Sequence, residues 1–183
     1  MSTNSLGIQP ADCIEDVCKY VEKHEGYKNA IHYIEQQYSA YTRYEKILAS
    51  NSRSLAEKLP VLQKSLNSVK QVQKINESGK VNTKTFYELE NGVYGIANIQ
   101  PSETVTLYLG AMTLADYTIE EAISTLDSQL QSINEKVKQN DIDQTYLKKQ
   151  MTTIEVSLST IFNYPVTHKE HYQKMLQKYG NES

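Results

Sequence analysis

From residue 119 to residue 161 apolar side chains recur at alternating steps of four and three: Ile119, Ile123, Leu126, Leu130, Ile133, Val137, Asn140, Gln144, Leu147, Met151, Ile154, Leu158 and Ile161. Eleven of the thirteen positions are apolar and the step never slips. A mean spacing of ~3.5 residues keeps one stripe of a supercoiled helix turned toward a partner, so the pattern predicts a coiled-coil helix. Its start is marked by Thr118 and Glu121, a Thr-x-x-Glu capping box, and its stop is expected at Asn163, Tyr164 and Pro165.

A second register occupies the N-terminal half. One seam position reads Ile34, Tyr41, Leu48, Leu55, Leu62, Val69; the other reads Ile31, Tyr38, Glu45, Ser52, Leu59, Leu66, Gln73 and is polar in its middle. The two seams are equally long, about 63 Å at ~1.5 Å per residue. Equal seams in one chain predict an antiparallel pair. Fold-back then sets Ser52 near Asn140, with Gln144 and the edge of Glu45 in one polar band that would fix register. Pro60 lies inside the first helix and is expected to kink it, or else to start a new helix after a break.

Between the helices the period changes from 3.5 to 2. Val105, Leu107 and Leu109 alternate with Thr104, Thr106 and Tyr108. Asn91-Gly92 separates residues 85–89 from 93–99 and predicts a hairpin with a type I′ turn, while Gly110 reads as a second tight turn between 105–109 and 111–115. Two isolated hairpins are marginal in water and expose their edges, so they need partners. The fold class expected is mainly α: a long antiparallel two-helix coiled coil with two β-hairpins between the helices. Its segments are an N-terminal tail with a short amphipathic helix (1–24), a first helix (25–78), the hairpins (79–117), a second helix (118–164) and a C-terminal tail (165–183).

Composition narrows the functional classes. The 19 basic and 22 acidic side chains leave a formal charge of −3, which argues against a nucleic-acid binder acting through a net basic field. Apolar residues make up 39% of the chain, and a mean hydropathy of −0.58 with no apolar run near ~20 residues predicts no membrane span. Residues 1–10 show neither a basic nor an apolar signal region, so a cytosolic protein is expected. Cys13 and Cys18 lack zinc-ligand spacing and read as structural thiols, Cys18 on a helical face with Ile14, Val17 and Val21; the Asn76 and Asn181 sequons carry no weight in that setting.

Catalytic motifs are missing from the sequence. There is no GxxxxGK[ST], no GxGxxG and no G-x-S-x-G; His168 and His171 form only H-x-x-H and read as solvated tail residues. Glu120 and Glu121 read as favourable charge in a helix first turn. Neither enzyme activity nor a cofactor or metal is expected. Tyrosine is the odd feature, at 14 against 2 Phe and no Trp, with five at Tyr27, Tyr33, Tyr38, Tyr41 and Tyr44. Tyr38 and Tyr41 read as seam packing. Tyr33, Tyr44, Phe162 and Tyr164 read either as flanking packing or as amphipathic surface at the free end of the coil, suited to gripping other polypeptides.

The order of helix, two hairpins and helix resembles the prefoldin family, specifically its α-type subunits and nearest the eukaryotic subunit 3 branch. The likeness rests on Gly7-Ile8-Gln9-Pro10, Ile14-Glu15-Asp16-Val17, Leu59-Pro60, Leu107-Tyr108-Leu109-Gly110-Ala111, Asp116-Tyr117-Thr118-Ile119-Glu120-Glu121-Ala122, Thr152-Thr153-Ile154-Glu155-Val156 and Asn163-Tyr164-Pro165-Val166. Cys13 departs from the bulky apolar residue expected, and Tyr108 and Tyr164 stand where Trp is usual. The resemblance implies an ATP-independent co-chaperone. Hairpins of two α-type and four β-type subunits would build a β-barrel platform, here through Val105, Leu107, Leu109 and Gly110. Six coiled coils would project from it, hold unfolded actin and tubulin at their ends and pass them to the cytosolic group II chaperonin. The client-gripping residues would be Tyr33, Tyr44, Phe162 and Tyr164, and Ser52, Asn140 and Gln144 would set the coiled-coil register. The rival reading is a coiled-coil scaffold subunit without client contact.

Overall fold

A computed structural model describes residues 4–79, 83–110 and 112–179. Ala111, the Asn181 sequon and the outermost residues of both expected tails lie outside the described residues. The elements are α1 (Val17–Lys23), α2 (Tyr27–Glu77), β1 (Thr83–Glu90), β2 (Val93–Ile99), β3 (Thr104–Gly110), β4 (Thr113–Thr118), α3 (Ile119–Thr167) and α4 (Lys169–Tyr179). Two compact units divide them. Unit 1 contains residues 4–53 and 137–179; unit 2 is Ser54–Lys136.

In unit 1 the long helices run antiparallel, since Tyr27 at the start of α2 meets Tyr164 near the end of α3 while Leu48 lies opposite Asn140. Ala30, Ile34, Ile154 and Ile161 are fully buried, with Tyr41, Leu48 and Leu147 close behind. All but Ala30, which neighbours the seam residue Ile31, are seam positions that the 3.5-residue spacing selects, and each buried Ile or Leu contributes roughly 1.5–3 kcal/mol. Asp16 caps α1 by accepting from the main-chain N–H groups of Cys18 and Lys19. The bond from Lys19, first among the causes, holds the Asp16 carboxyl below its ordinary range. Glu25 and Gly26, both at positive φ, then turn the chain into α2.

Unit 2 gathers Leu66, Val69, Ile119, Ala122, Leu126 and Leu130 into its own core, on which Val105, Leu107 and Tyr117 of the second hairpin rest. The capping box forms as a reciprocal pair: Thr118 Oγ1 accepts from the Glu121 N–H at 3.3 Å, and Glu121 Oε2 accepts from the Thr118 N–H at 3.2 Å. Each hairpin is a separate two-stranded antiparallel sheet.

Local expectations are corrected at several points. Helix α2 runs unbroken through Pro60, which excludes a new helix starting there. Helix α3 does not stop at residues 163–165 but continues through Pro165 to Thr167. Burial of Tyr164 holds the last turn in place, and the His168 N–H still reaches the Tyr164 carbonyl at 2.9 Å. The segment after Pro165, expected as a tail, forms α4 with Met175 buried.

The first turn is not type I′, because Gly92 takes positive φ (80°) whereas Asn91 does not. A register shift between Glu88 and Glu90 accompanies it. Gly110, expected within the second turn, is the last residue of β3, paired with Thr113 across a register shift that begins at Tyr108.

Candidate functional site

Two surfaces are candidates. On unit 2, residues facing out from the hairpins are large and apolar. Phe86 pairs with Ile96 and Glu88 with Tyr94 on the first hairpin; Tyr108 pairs with Leu114 on the second. Phe86, Ile96, Tyr94, Tyr108, Leu114 and Met112 are all exposed. Among the described residues each strand pairs with one neighbouring strand only, as at the edge of a sheet.

Of the hairpin residues singled out from the sequence, Val105 and Leu107 are half-buried against the unit 2 core. They are therefore partnered within the chain. Leu109 is exposed, because the register shift around it takes it out of the alternation. Beside it runs an open groove of about 680 Å³ lined by Val61, Leu62, Leu107, Leu109, Leu126 and Ile133.

The second surface is on unit 1. Phe162 is 54% exposed and Val166, one turn on, is more so. Tyr33 is 41% exposed and its ring lies 4.7 Å from that of His24. Tyr44 is half-buried against the core.

Of the two readings open for Tyr164, packing and exposed client surface, its burial meets the first: it is 0% exposed. Its ring meets Tyr27 at 5.9 Å and Tyr172 edge-on at 5.8 Å, and its hydroxyl shares a 2.7 Å hydrogen bond with His171 Nδ1. Burial, then the neighbouring Cys18, Glu22 and Tyr172, pushes the phenol up to about 12. His171 reaches Glu22 with its other nitrogen at 3.1 Å, so it is a clasp between α1, α3 and α4, not a solvated tail residue. This cluster closes because α4 folds back, and no periodicity upstream of Pro165 announces that.

The expected polar band also differs. Asn140 is buried, but its amide donates to the Leu48 carbonyl at 3.4 Å; Ser52 and Glu45 are exposed and Gln144 is half-buried. The partner of Asn140 thus lies one turn before Ser52, and the second buried polar residue is Asp143, only 2% exposed.

Asp143 begins a stripe that the seam reading missed. Asp143, Gln150, Ser157 and Tyr164 recur every seven residues along the flank of α3. The first three hold the segment that precedes α1. Asp143 accepts from the Ser5 N–H at 2.9 Å and from the Ser5 hydroxyl. Gln150 Oε1 accepts from the Ala11 N–H at 2.7 Å. Ser157 Oγ donates to the Asp12 carbonyl at 2.8 Å and accepts from the Ile14 N–H at 3.3 Å.

From α2, Tyr41 donates to the Gln9 carbonyl at 3.0 Å, and Tyr146 of α3 donates to the Ile8 carbonyl at 3.5 Å. Ile8 is the buried apolar anchor. The signal was present in the sequence as a seven-residue polar repeat, but such a repeat reads as solvated surface until a third segment covers it.

Among the described residues no three His, Cys, Asp or Glu side chains converge as a metal site, and no helix is long and apolar enough to cross a membrane.

Comparison with known proteins yields a consistent likeness. A family model described as "Prefoldin subunit" matches residues 41–164. The chain is 31% identical over 165 residues to "Probable prefoldin subunit 3" of Schizosaccharomyces pombe, covering 90% of this chain and 94% of that one. It is 31% identical over 157 residues to "Probable prefoldin subunit 3" of Dictyostelium discoideum, covering 85% and 78%. With human "Prefoldin subunit 3" the identity is 29% over 166 residues, covering 90% and 84%.

Proposed function

The chain belongs to the prefoldin family, and from that premise we propose that it is an α-type, subunit 3-like member of a hetero-hexameric, ATP-independent co-chaperone. In this reading it acts in the cytoplasm, binds unfolded polypeptides such as actin and tubulin, and delivers them to the cytosolic group II chaperonin. No catalytic role or cofactor is part of the proposal.

The observation that carries it is the outer face of the hairpins. Phe86, Ile96, Tyr108 and Leu114 form apolar surface on strands that, among the described residues, each pair with one neighbouring strand only. Such a surface on a hydrophilic chain is a docking surface. Neighbouring subunits would extend both sheets, and the groove beside Leu109 would receive one of their side chains. On unit 1 the client surface would comprise Phe162, Tyr33 and Tyr44, whereas Tyr164 serves the fold.

Burial of Tyr164 also favours the second reading, a scaffold subunit that leaves client contact to others. Light scattering by denatured actin, with the reconstituted hexamer containing or lacking this chain, tests the first reading. Suppression of aggregation that depends on this chain is expected; a complex that forms yet holds denatured actin equally well without it would leave the scaffold.

A further inference from the structure

We propose that the groove of unit 1 formed by Tyr41, Asp143, Tyr146, Gln150 and Ser157 is a binding site for extended polypeptide main chain, and that residues 4–14 occupy it in cis as a displaceable occupant. The inference rests on the reading above that this chain captures unfolded polypeptide.

The groove addresses the backbone. Its side chains satisfy the N–H groups of Ser5, Ala11 and Ile14 and the carbonyls of Ile8, Gln9 and Asp12. Every extended segment carries these groups, so recognition of this kind has little dependence on sequence, as in other main-chain recognition modes. The occupant's own side chains add the buried Ile8, the half-buried Ala11 and Ile14, the Ser5 hydroxyl on Asp143 and the Asp12 carboxylate, which accepts from Tyr20 and Gln37, while Leu6, Gly7, Gln9, Pro10 and Cys13 are exposed.

A purely structural strap would be better served by apolar residues at the seven-residue positions, since burying a carboxylate such as Asp143 carries a desolvation cost. Polar lining has a different use. When the segment leaves, Asp143, Gln150 and Ser157 are hydrated, and only Ile8, with the half-buried Ala11 and Ile14, is withdrawn from the core that Leu147, Ile154 and Ile161 form with Ile34, Tyr41 and Leu48 of α2. The site can therefore open without unfolding the helix pair. The occupant is tethered, so its effective concentration is high, and only a polypeptide presented in avid form would displace it.

The test uses the full chain in its reconstituted hexamer. Hydrogen exchange at the Ser5, Ala11 and Ile14 amides is measured with and without a reduced, carboxymethylated protein that is permanently unfolded. Faster exchange of these three amides, with Leu147 and Ile154 still protected, is expected on adding the unfolded protein; unchanged exchange overturns the proposal.

In a second measurement, a labelled peptide of residues 4–14 is added to hexamer whose chain lacks residues 1–14. Binding that the unfolded protein displaces, and that Gln150→Leu with Ser157→Ala weakens about tenfold or more, is expected from the loss of at least two hydrogen bonds. Peptide that binds but is not displaced overturns the proposal. Suppression of aggregation with the three amides still protected would sink the groove and leave the chaperone reading. Displacement of the segment without any suppression would sink that reading and leave the groove.

Discussion

The Asn140 side-chain amide donates to the main-chain carbonyl of Leu48 at 3.4 Å from inside the helix seam. That carbonyl belongs to the interior of α2 and has a helical partner as well, so removing the amide leaves no acceptor orphaned. Asn140→Leu therefore replaces a long hydrogen bond by apolar burial and is expected to raise stability by about 1 kcal/mol. Chemical denaturation of the full chain checks it. A lowered midpoint would mean that the amide contributes more than its geometry implies.

Tyr164 separates packing from hydrogen bonding. Tyr164→Phe keeps the ring contacts with Tyr27 and Tyr172 and loses the bond to His171, a loss of about 0.5–1.5 kcal/mol. Tyr164→Ser opens a cavity under α4 and is expected to cost about 3–5 kcal/mol, in the range of large-to-small core changes. Equal effects of the two changes would show that the hydroxyl network, not the ring, holds α4 down.

The seams were legible because a coiled-coil stripe is a property of one helix: each of the thirteen positions from Ile119 to Ile161 is buried or half-buried. Hairpin strands were equally local, although their turn types were not, since a register shift at Tyr108 moves Leu109 and Gly110 without changing the alternation before it. The rest depended on a third segment. Tyr164 and Asp143 lie on the flank of α3, which two helices alone leave open, and become interior only once α4 and residues 4–16 are laid over them. Pro165 misled for the same reason: a local helix-stop rule yields to the packing of the residue just before it.

High pH is expected to weaken unit 1. Burial, ahead of the neighbouring groups, raises the phenols of Tyr41 and Tyr164 to about 12, and likewise raises that of Tyr20. In the unfolded chain these groups ionise near the ordinary ~10. The folded state therefore holds more protons between about pH 10 and 12, and the stability these phenols contribute is full below pH ~10 and is lost as pH rises through their folded values. Absorbance of tyrosinate followed alongside far-UV helix signal checks this. Ionisation of all 14 tyrosines in one step near pH ~10, with the helix signal intact, would contradict the burial.

Assembly is best probed at Leu114. Leu107→Asp would strike the core of unit 2 as well as any partner, because Leu107 packs against it. Leu114 faces out opposite Tyr108, so Leu114→Asp is expected to change the stability of the isolated chain by less than about 0.5 kcal/mol. Docked against a neighbouring subunit, the same carboxylate would be desolvated without a partner, and assembly should fail. Sedimentation of a mixture with the other subunits reads the outcome. Normal hexamer formation by the Leu114→Asp chain would move the interface off the hairpin's outer face.

Whether this chain itself holds clients turns on Phe162 and Val166. They stand one helical turn apart, so their side chains share one face of α3. Both are exposed, while Ile161 and Tyr164 beside them are fully buried. Core and surface thus separate along a single stretch of helix, and substitutions can address the surface alone. Phe162→Ser with Val166→Ser should leave the melting transition within about 0.5 kcal/mol of wild type, as expected for surface positions. Removing that apolar area should weaken capture of denatured actin, because it is area a bound segment would cover. Avidity over several subunits limits the loss for the hexamer, so dissociation rate is the more sensitive readout. A double variant that assembles, melts normally and releases actin no faster than wild type would assign the grip to other subunits, leaving this chain to position them.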